Sequence, residues 1–273
     1  MAFFSGDQIC NLRVSRQNPN DSPFGDDDQS DARWLAHILR FEVLPQGYIY
    51  PKEERAVRDL LRKRGQMVRQ RTANLLSLQN LITRNTGSSI RSNRIKTLDA
   101  EQVDDLLPNS DLALAVKANL AMIQCADGQI DILERTVTDR VKLRAEFSFL
   151  KTVPGIGQIL ALTIMLETGE IKRFPTVGDY ASYCRCVGSQ KLSNGKKKGS
   201  GNTKNGNKYL AWAFVEAANF AIRYNARIKS FYQRKKAKSH GVVAIKAVAH
   251  KLCRACYYIV RDQVPFDVAK AFA

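Results

Sequence analysis

The sequence predicts a mostly α protein with two parts: long antiparallel coiled-coil helices, then an α-helical C-terminal domain containing a helix-hairpin-helix motif. Three observations predict it. Apolar residues recur at heptad spacing through two long stretches, an apolar-x-x-Pro-Gly-Ile-Gly turn joins two further helical stretches, and no strand-like alternation of any length is present. The chain has 273 residues, 44% of them hydrophobic, which is enough to bury a sizeable core.

Residues 1–30 are polar and irregular, with "NPNDSP" and "GDDDQSD" reading as turn and loop. A short helix is expected from about Asp31, with Trp34, Leu35, Ile38 and Leu39 on one face. Pro45 and Pro51 bracket a connector. A long helix follows from Lys52 to about Arg84, in which Val57, Leu61, Val68, Leu75 and Ile82 recur at fours and sevens. A second is expected from about Leu112 to Lys151, with Val116, Ile123, Ile130 and Val137 spaced by sevens. The segment between them breaks the pattern, so the pair reads as an antiparallel coiled-coil hairpin over residues 51–150, to which the family resemblance described below adds the joining of protomers. The alternative is two ordinary amphipathic helices on a globular core.

From residue 151 the C-terminal domain begins with "TVPGIGQIL". Gly155 and Gly157 let backbone N–H groups at a helix start approach a phosphate, where the helix dipole favours an anion; a plain helix–helix turn is the alternative. Thr176, with Asp179 three residues on, has the form of a capping box and predicts a helix ending near Gly188. A later helix carries Leu210, Phe214, Ala217, Ala221 and Tyr224 as a buried stripe, and a final helix runs from about Val242 to Val260.

Charge is segregated. Between Tyr180 and Arg261 there are 18 Lys or Arg and one acid, Glu216, while the other residues carry 25 basic and 25 acidic side chains. The whole net charge of +17 belongs to this segment, which implies a polyanionic partner, with nucleic acid the commonest. Within it, "KLSNGKKKGSGNTKNGNKYL" holds Lys191, Lys196, Lys197, Lys198, Lys204 and Lys208 without a carboxylate. Such a stretch is either a solvated linker or a glycine-thinned loop that holds phosphate beside a hydroxyl nucleophile.

The amino terminus shows no signal peptide, and the longest apolar run, Ile159–Leu166, is too short to span a bilayer. A soluble cytoplasmic protein without membrane association is expected. The six cysteines are then expected as free thiols, with buried cysteine favoured over zinc for Cys184-x-Cys186 and Cys253-x-x-Cys256.

The order of these features resembles the DEDD-type insertion-sequence transposases, RNA-guided recombinases with a RuvC-like domain and a serine-bearing C-terminal domain. The resemblance is carried by "DQSDARWLA" from Asp28, the coiled coil, Pro154–Gly157, the loop from Ser193 to Gly201, then Lys204, Gly206 and Leu210, and "VPFD" from Val264. It implies a bacterial enzyme that binds DNA and a structured guide RNA, and that breaks and rejoins DNA. Asp28 and Asp31 match the last two of four Mg²⁺-binding acids, and Ser193 matches the nucleophile, with Ser200 the alternative.

Residues 1–50 would then be the remnant of a RuvC-like α/β domain. Its first two acids have no counterpart before Asp28, so the expectation is a chain lacking the amino-terminal part of that domain. Such a chain would bind nucleic acid without completing strand exchange by itself. The alternative reading is a non-catalytic helix-hairpin-helix protein that only binds nucleic acid.

Overall fold

The computed structural model describes residues 28–43, 47–188, 190–193, 196–200 and 205–272. Helices account for nearly all of the ordered elements, in keeping with the periodicity. The chain divides into two compact units, Lys52–Phe147 and a second made of Ser148 onward with the described residues before Lys52.

In the first unit, α2 (Lys52–Thr86) packs along α5 (Ser110–Val141). Arg64 Nη2 lies 2.7 Å from Glu134 Oε1, and Arg71 pairs with Asp127. Seven residues forward on α2 are matched by seven backward on α5, so the helices are antiparallel. The same register sets Leu61 opposite Val137, Val68 opposite Ile130, Leu75 opposite Ile123 and Ile82 opposite Val116. Leu61, Ile82, Val116, Ile123, Ile130 and Val137 are buried, and Val57, Val68 and Leu75 are half-buried. Heptad spacing therefore marks every second layer of the seam. Arg64, Arg71 and Leu78 fill the alternate positions on α2, which makes two of those layers ionic.

The pattern-breaking segment between the long helices contains α3 (Ser92–Ile95) and α4 (Ala100–Leu106). Their Ile95 and Val103, with Leu98 and Leu107, are buried in one cluster with Leu78, Ile82, Val116 and Leu120. Asp99 starts α4 with a full capping box to Gln102. The second long helix is shorter than expected. It stops at Val141, and α6 (Ala145–Leu150) follows after a short break.

The second unit is built around α7 (Gln158–Thr168), where every residue from Leu160 to Thr168 is buried. The Thr176–Asp179 capping box is present and opens α8 (Val177–Tyr183). That helix ends five residues before Gly188, because Cys184 to Cys186 form a turn with Arg185 at φ 57°.

Two short strands accompany the helices of this mostly α chain. β1 (Gln190–Ser193) pairs antiparallel with β2 (Lys196–Ser200), an irregularity falling between Lys191 and Leu192. Apart from Leu192 their residues are Gln, Lys, Gly and Ser, so no apolar alternation announces them. α9 (Lys208–Tyr224), α10 (Ala226–Lys236), α11 (Gly241–Asp262) and α12 (Val268–Ala271) complete the unit.

The core of this unit is aromatic. Tyr180 is buried among Phe174, Phe214 and Tyr257, with ring centroids 5.2, 6.4 and 5.8 Å away. Its hydroxyl lies 3.0 Å from Thr168 Oγ1, and burial pushes its pKa well above the usual tyrosine value. Cys184, Cys253 and Cys256 are buried nearby as free thiols, each held protonated by burial. Among the described residues no group of three or more His, Cys, Asp or Glu is placed to hold a metal ion.

Ahead of α2, the expected RuvC-like remnant is represented among the described residues by α1 (Asp28–Arg40) and a connector. Leu35 and Leu39 on α1 are exposed. The connector is fastened to the second unit, since Tyr50 Oη donates to the Leu166 carbonyl at 2.7 Å. The Arg173 guanidinium stacks 4.2 Å over Tyr48 and 4.5 Å over Tyr183. Among the described residues, no helix is long and apolar enough to cross a membrane.

Candidate nucleic-acid interface

The basic stretch leaves and rejoins the helical body through a neck. The chain departs after Arg185, whose Nη2 and Nε donate to the Gly206 carbonyl at 2.8 and 3.2 Å. It returns where the Asn207 backbone N–H donates to the Tyr183 carbonyl at 2.6 Å. Gly206 has φ 85°, and a Cβ there would run into the Tyr183 carbonyl, so only glycine fits this crossing.

Below the neck, Asn207 does two jobs. Its Oδ1 accepts from the N–H groups of Tyr209 and Leu210 and caps α9, while its Nδ2 donates to the buried Glu167 carboxylate at 2.8 Å. Glu167 belongs to the central helix α7, so the end of the basic stretch is tied to the core.

Between the two ends of the neck runs the hairpin. Ser193 is the last residue of β1 and faces Lys196 in the register, while Lys191 is opposite Gly199 and Leu192 opposite Lys197. Lys196 is exposed. The side chains of Ser193, Ser200, Lys191, Lys197 and Lys198 lie outside the described residues, as does the whole of Lys204. Lys208 is exposed in the first turn of α9, with Nζ 5.2 Å above the Tyr209 ring.

The Pro154–Gly157 turn lies between α6 and α7, as the sequence spacing requires. Its two glycines have different roles. Gly155, at φ 84°, packs against the backbone of α9; a Cβ there would meet the Ala217 carbonyl and lie 2.6 Å from the Ala221 nitrogen. Gly157 is the N-cap of α7, exposed, with open space where a Cβ would be. Of the pair, Gly157 is the one free to approach a phosphate.

Asp28 opens α1 and Asp31 follows one turn later, with side chains outside the described residues. Among the described residues α1 makes no extended contact with the hairpin or with another helix. The structure therefore sets Gly155 and Gly157 in one turn and places Ser193 opposite Lys196 in the hairpin register.

Sequence reasoning missed the neck residues Arg185, Glu167 and Asn207. Asn207 carried a readable signal, an Asn immediately before an apolar-periodic helix. The hairpin had one too: Asn194-Gly195 stands between its strands, the strongest short hairpin dipeptide. Tyr224 corrects an expectation. It was assigned to the buried stripe of α9, whereas Leu210, Phe214, Ala217 and Ala221 are buried and Tyr224 is 78% exposed.

Comparison with known proteins falls on this same unit. Residues 148–233 match the family model described as Transposase IS116/IS110/IS902 family. That segment contains the Pro154–Gly157 turn, α7, the hairpin, its neck and α9. Over 211 residues the chain is 26% identical to a probable family 20 transposase of Pseudomonas aeruginosa, which covers 74% of this chain and 62% of that protein. Over 143 residues it is 25% identical to the transposase for insertion sequence element IS1328 of Yersinia enterocolitica, covering 51% of this chain and 43% of the relative. The chain thus matches less than two thirds of the length of either relative.

Proposed function

We propose that the chain acts as an insertion-sequence transposase, binding DNA through its basic hairpin and attacking a phosphodiester with Ser193. The observation that carries this reading is the hairpin itself. A cluster of lysines and a serine is held at a neck tied to the core by Arg185 and Asn207, inside the segment that matches transposases.

In the proposed step, Ser193 Oγ gives its hydroxyl proton to solvent and forms a bond to phosphorus, as the bond to the leaving sugar oxygen breaks and that oxygen takes a proton from solvent. The neighbouring lysines offset charge that builds on the non-bridging oxygens. Asp28 and Asp31 supply hard carboxylate oxygens one helical turn apart, a donor type that suits Mg²⁺. Bound there, the ion would supply positive charge at the scissile phosphate. Two carboxylates hold Mg²⁺ weakly, so the complete site is proposed to take further acids. A structured guide RNA and self-association through the α2–α5 hairpin belong to the same proposal. That α1 makes no extended contact with the hairpin among the described residues favours a second reading, a protein that binds nucleic acid without cutting it.

The test mixes the chain, Mg²⁺ and the element's junction DNA and RNA with a longer matched relative whose loop serine is replaced by alanine. A chelator-sensitive adduct at the mass of this chain, lost in Ser193→Ala with DNA affinity held within about twofold, supports catalysis. Loss in Ser200→Ala instead moves the nucleophile. Salt-sensitive binding without any adduct supports the second reading.

A further inference from the structure

We infer that the groove between the Pro154–Gly157 turn and the end of α9 is a stacking site for an unpaired nucleotide, a single-stranded segment of the nucleic acid proposed above. The inference rests on that reading and adds the form of nucleic acid that this surface accepts.

The groove has a volume of about 630 Å³, within the roughly 300–1,000 Å³ of small-ligand sites. One wall is the turn itself, with Lys151, Gly157 and Gln158 exposed. The other wall is Phe220 and Tyr224, four residues apart on one face of α9. Both rings are presented to solvent, Phe220 at 41% and Tyr224 at 78% exposure. The Arg223 guanidinium lies 5.9 Å over the Phe220 ring at the same end of the helix.

An exposed tyrosine and phenylalanine in consecutive turns leave apolar area in water. A base stacked on them would cover that area, and its backbone phosphate would meet Lys151, Arg223 and the open approach at Gly157. Every base has a π-face, so such a platform tolerates any sequence. Duplex DNA offers its bases only edge-on, with both faces already stacked, and so cannot use these rings.

Charge argues against an ordinary apolar partner here. The α9 wall of the groove belongs to the segment Tyr180–Arg261 that carries the net +17, and the single acid of that segment, Glu216, is one turn before Phe220 rather than at the groove. An unpaired polyanion is the occupant that satisfies both the rings and the cations.

The experiment measures anisotropy of a fluorescein-labelled oligo(dT) and of a duplex of equal length, each titrated with the full chain. Tyr224→Ala and the double variant Phe220→Ala/Tyr224→Ala should lower oligo(dT) affinity about 5- to 30-fold and leave duplex affinity within about twofold. Ultraviolet crosslinking of a bromodeoxyuridine oligonucleotide should recover peptides containing Tyr224 or Phe220. Circular dichroism melting checks that each variant is folded, which the exposure of Tyr224 favours. Unchanged oligo(dT) affinity overturns the inference, as does an equal loss on both probes. If neither probe binds the unaltered chain, the proposed function falls with it, whereas duplex binding alone removes only the stacking site.

Discussion

Arg64 Nη2 stands 2.7 Å from Glu134 Oε1 inside the α2–α5 seam, between the Leu61–Val137 and Val68–Ile130 layers. Both side chains are largely withdrawn from water, the arginine to 19% exposure. Removing one partner leaves the other charge half-buried against apolar neighbours, so Glu134→Ala should cost about 1–3 kcal/mol in urea unfolding. Replacing both, as in Arg64→Leu/Glu134→Leu, should cost much less or nothing. A double variant that loses as much as the two single variants added together would show that the pair is not coupled.

The two turn glycines predict opposite outcomes. Gly155→Ala puts a methyl group into the backbone of α9 at φ 84°, and should destabilise the second unit by roughly 2–4 kcal/mol. Gly157→Ala meets nothing within 4 Å and should leave melting nearly unchanged. Thermal melts of the two variants, with nucleic-acid affinity measured on Gly157→Ala, separate packing from phosphate approach.

Asn207→Ala removes a helix cap and a hydrogen bond to the buried Glu167 carboxylate at once. The cap is worth about 1 kcal/mol and the weakened carboxylate about 1–3 kcal/mol more. Limited proteolysis should cut the variant between residues 189 and 204 faster than the unaltered chain. An unchanged cleavage rate would mean that the neck does not depend on Asn207.

His250 gives a pH dependence. Burial, with Arg254 and Lys251 close by, holds its pKa below the usual value near 6.5, so folding disfavours the imidazolium. The unfolded chain therefore binds the extra proton first, and stability rises with pH across this interval. Melting temperature should be full above about pH 6.5 and fall as the pH drops through the folded pKa. His250→Gln, which does not titrate, should flatten that decline.

The long helices were legible because apolar side chains every seven residues have one physical meaning, and Ile123, Ile130 and Val137 were found where that meaning requires. The ionic layers were not, since Arg64 and Glu134 look like surface charges until register places them opposite one another. The capping box at Thr176 is a local device and was readable. The hairpin had only the Asn194-Gly195 dipeptide to announce it, because its strands carry no alternating apolar face. Tyr224 shows the limit of periodicity: it continues the spacing of Ala217 and Ala221, but the helix outruns the core that the stripe covers. The positions of Asp28 and Ser193 could be named in sequence, whereas the distance between them depends on tertiary contacts no motif encodes.

The closed neck has a consequence for how this protein can diverge. Arg185, Gly206 and Asn207 bring the two ends of the basic stretch together before the stretch begins, so the helical core is indifferent to what lies between them. Lengthening a loop whose ends are already fixed costs little chain entropy, about 0.6 kcal/mol for each doubling. The hairpin can therefore be shortened, extended or exchanged for a relative's without refolding the body that carries it. A chimera in which residues 189–204 are grafted from one of the matched relatives should melt close to the parent temperature, which would make the segment a cassette for transferring function between scaffolds.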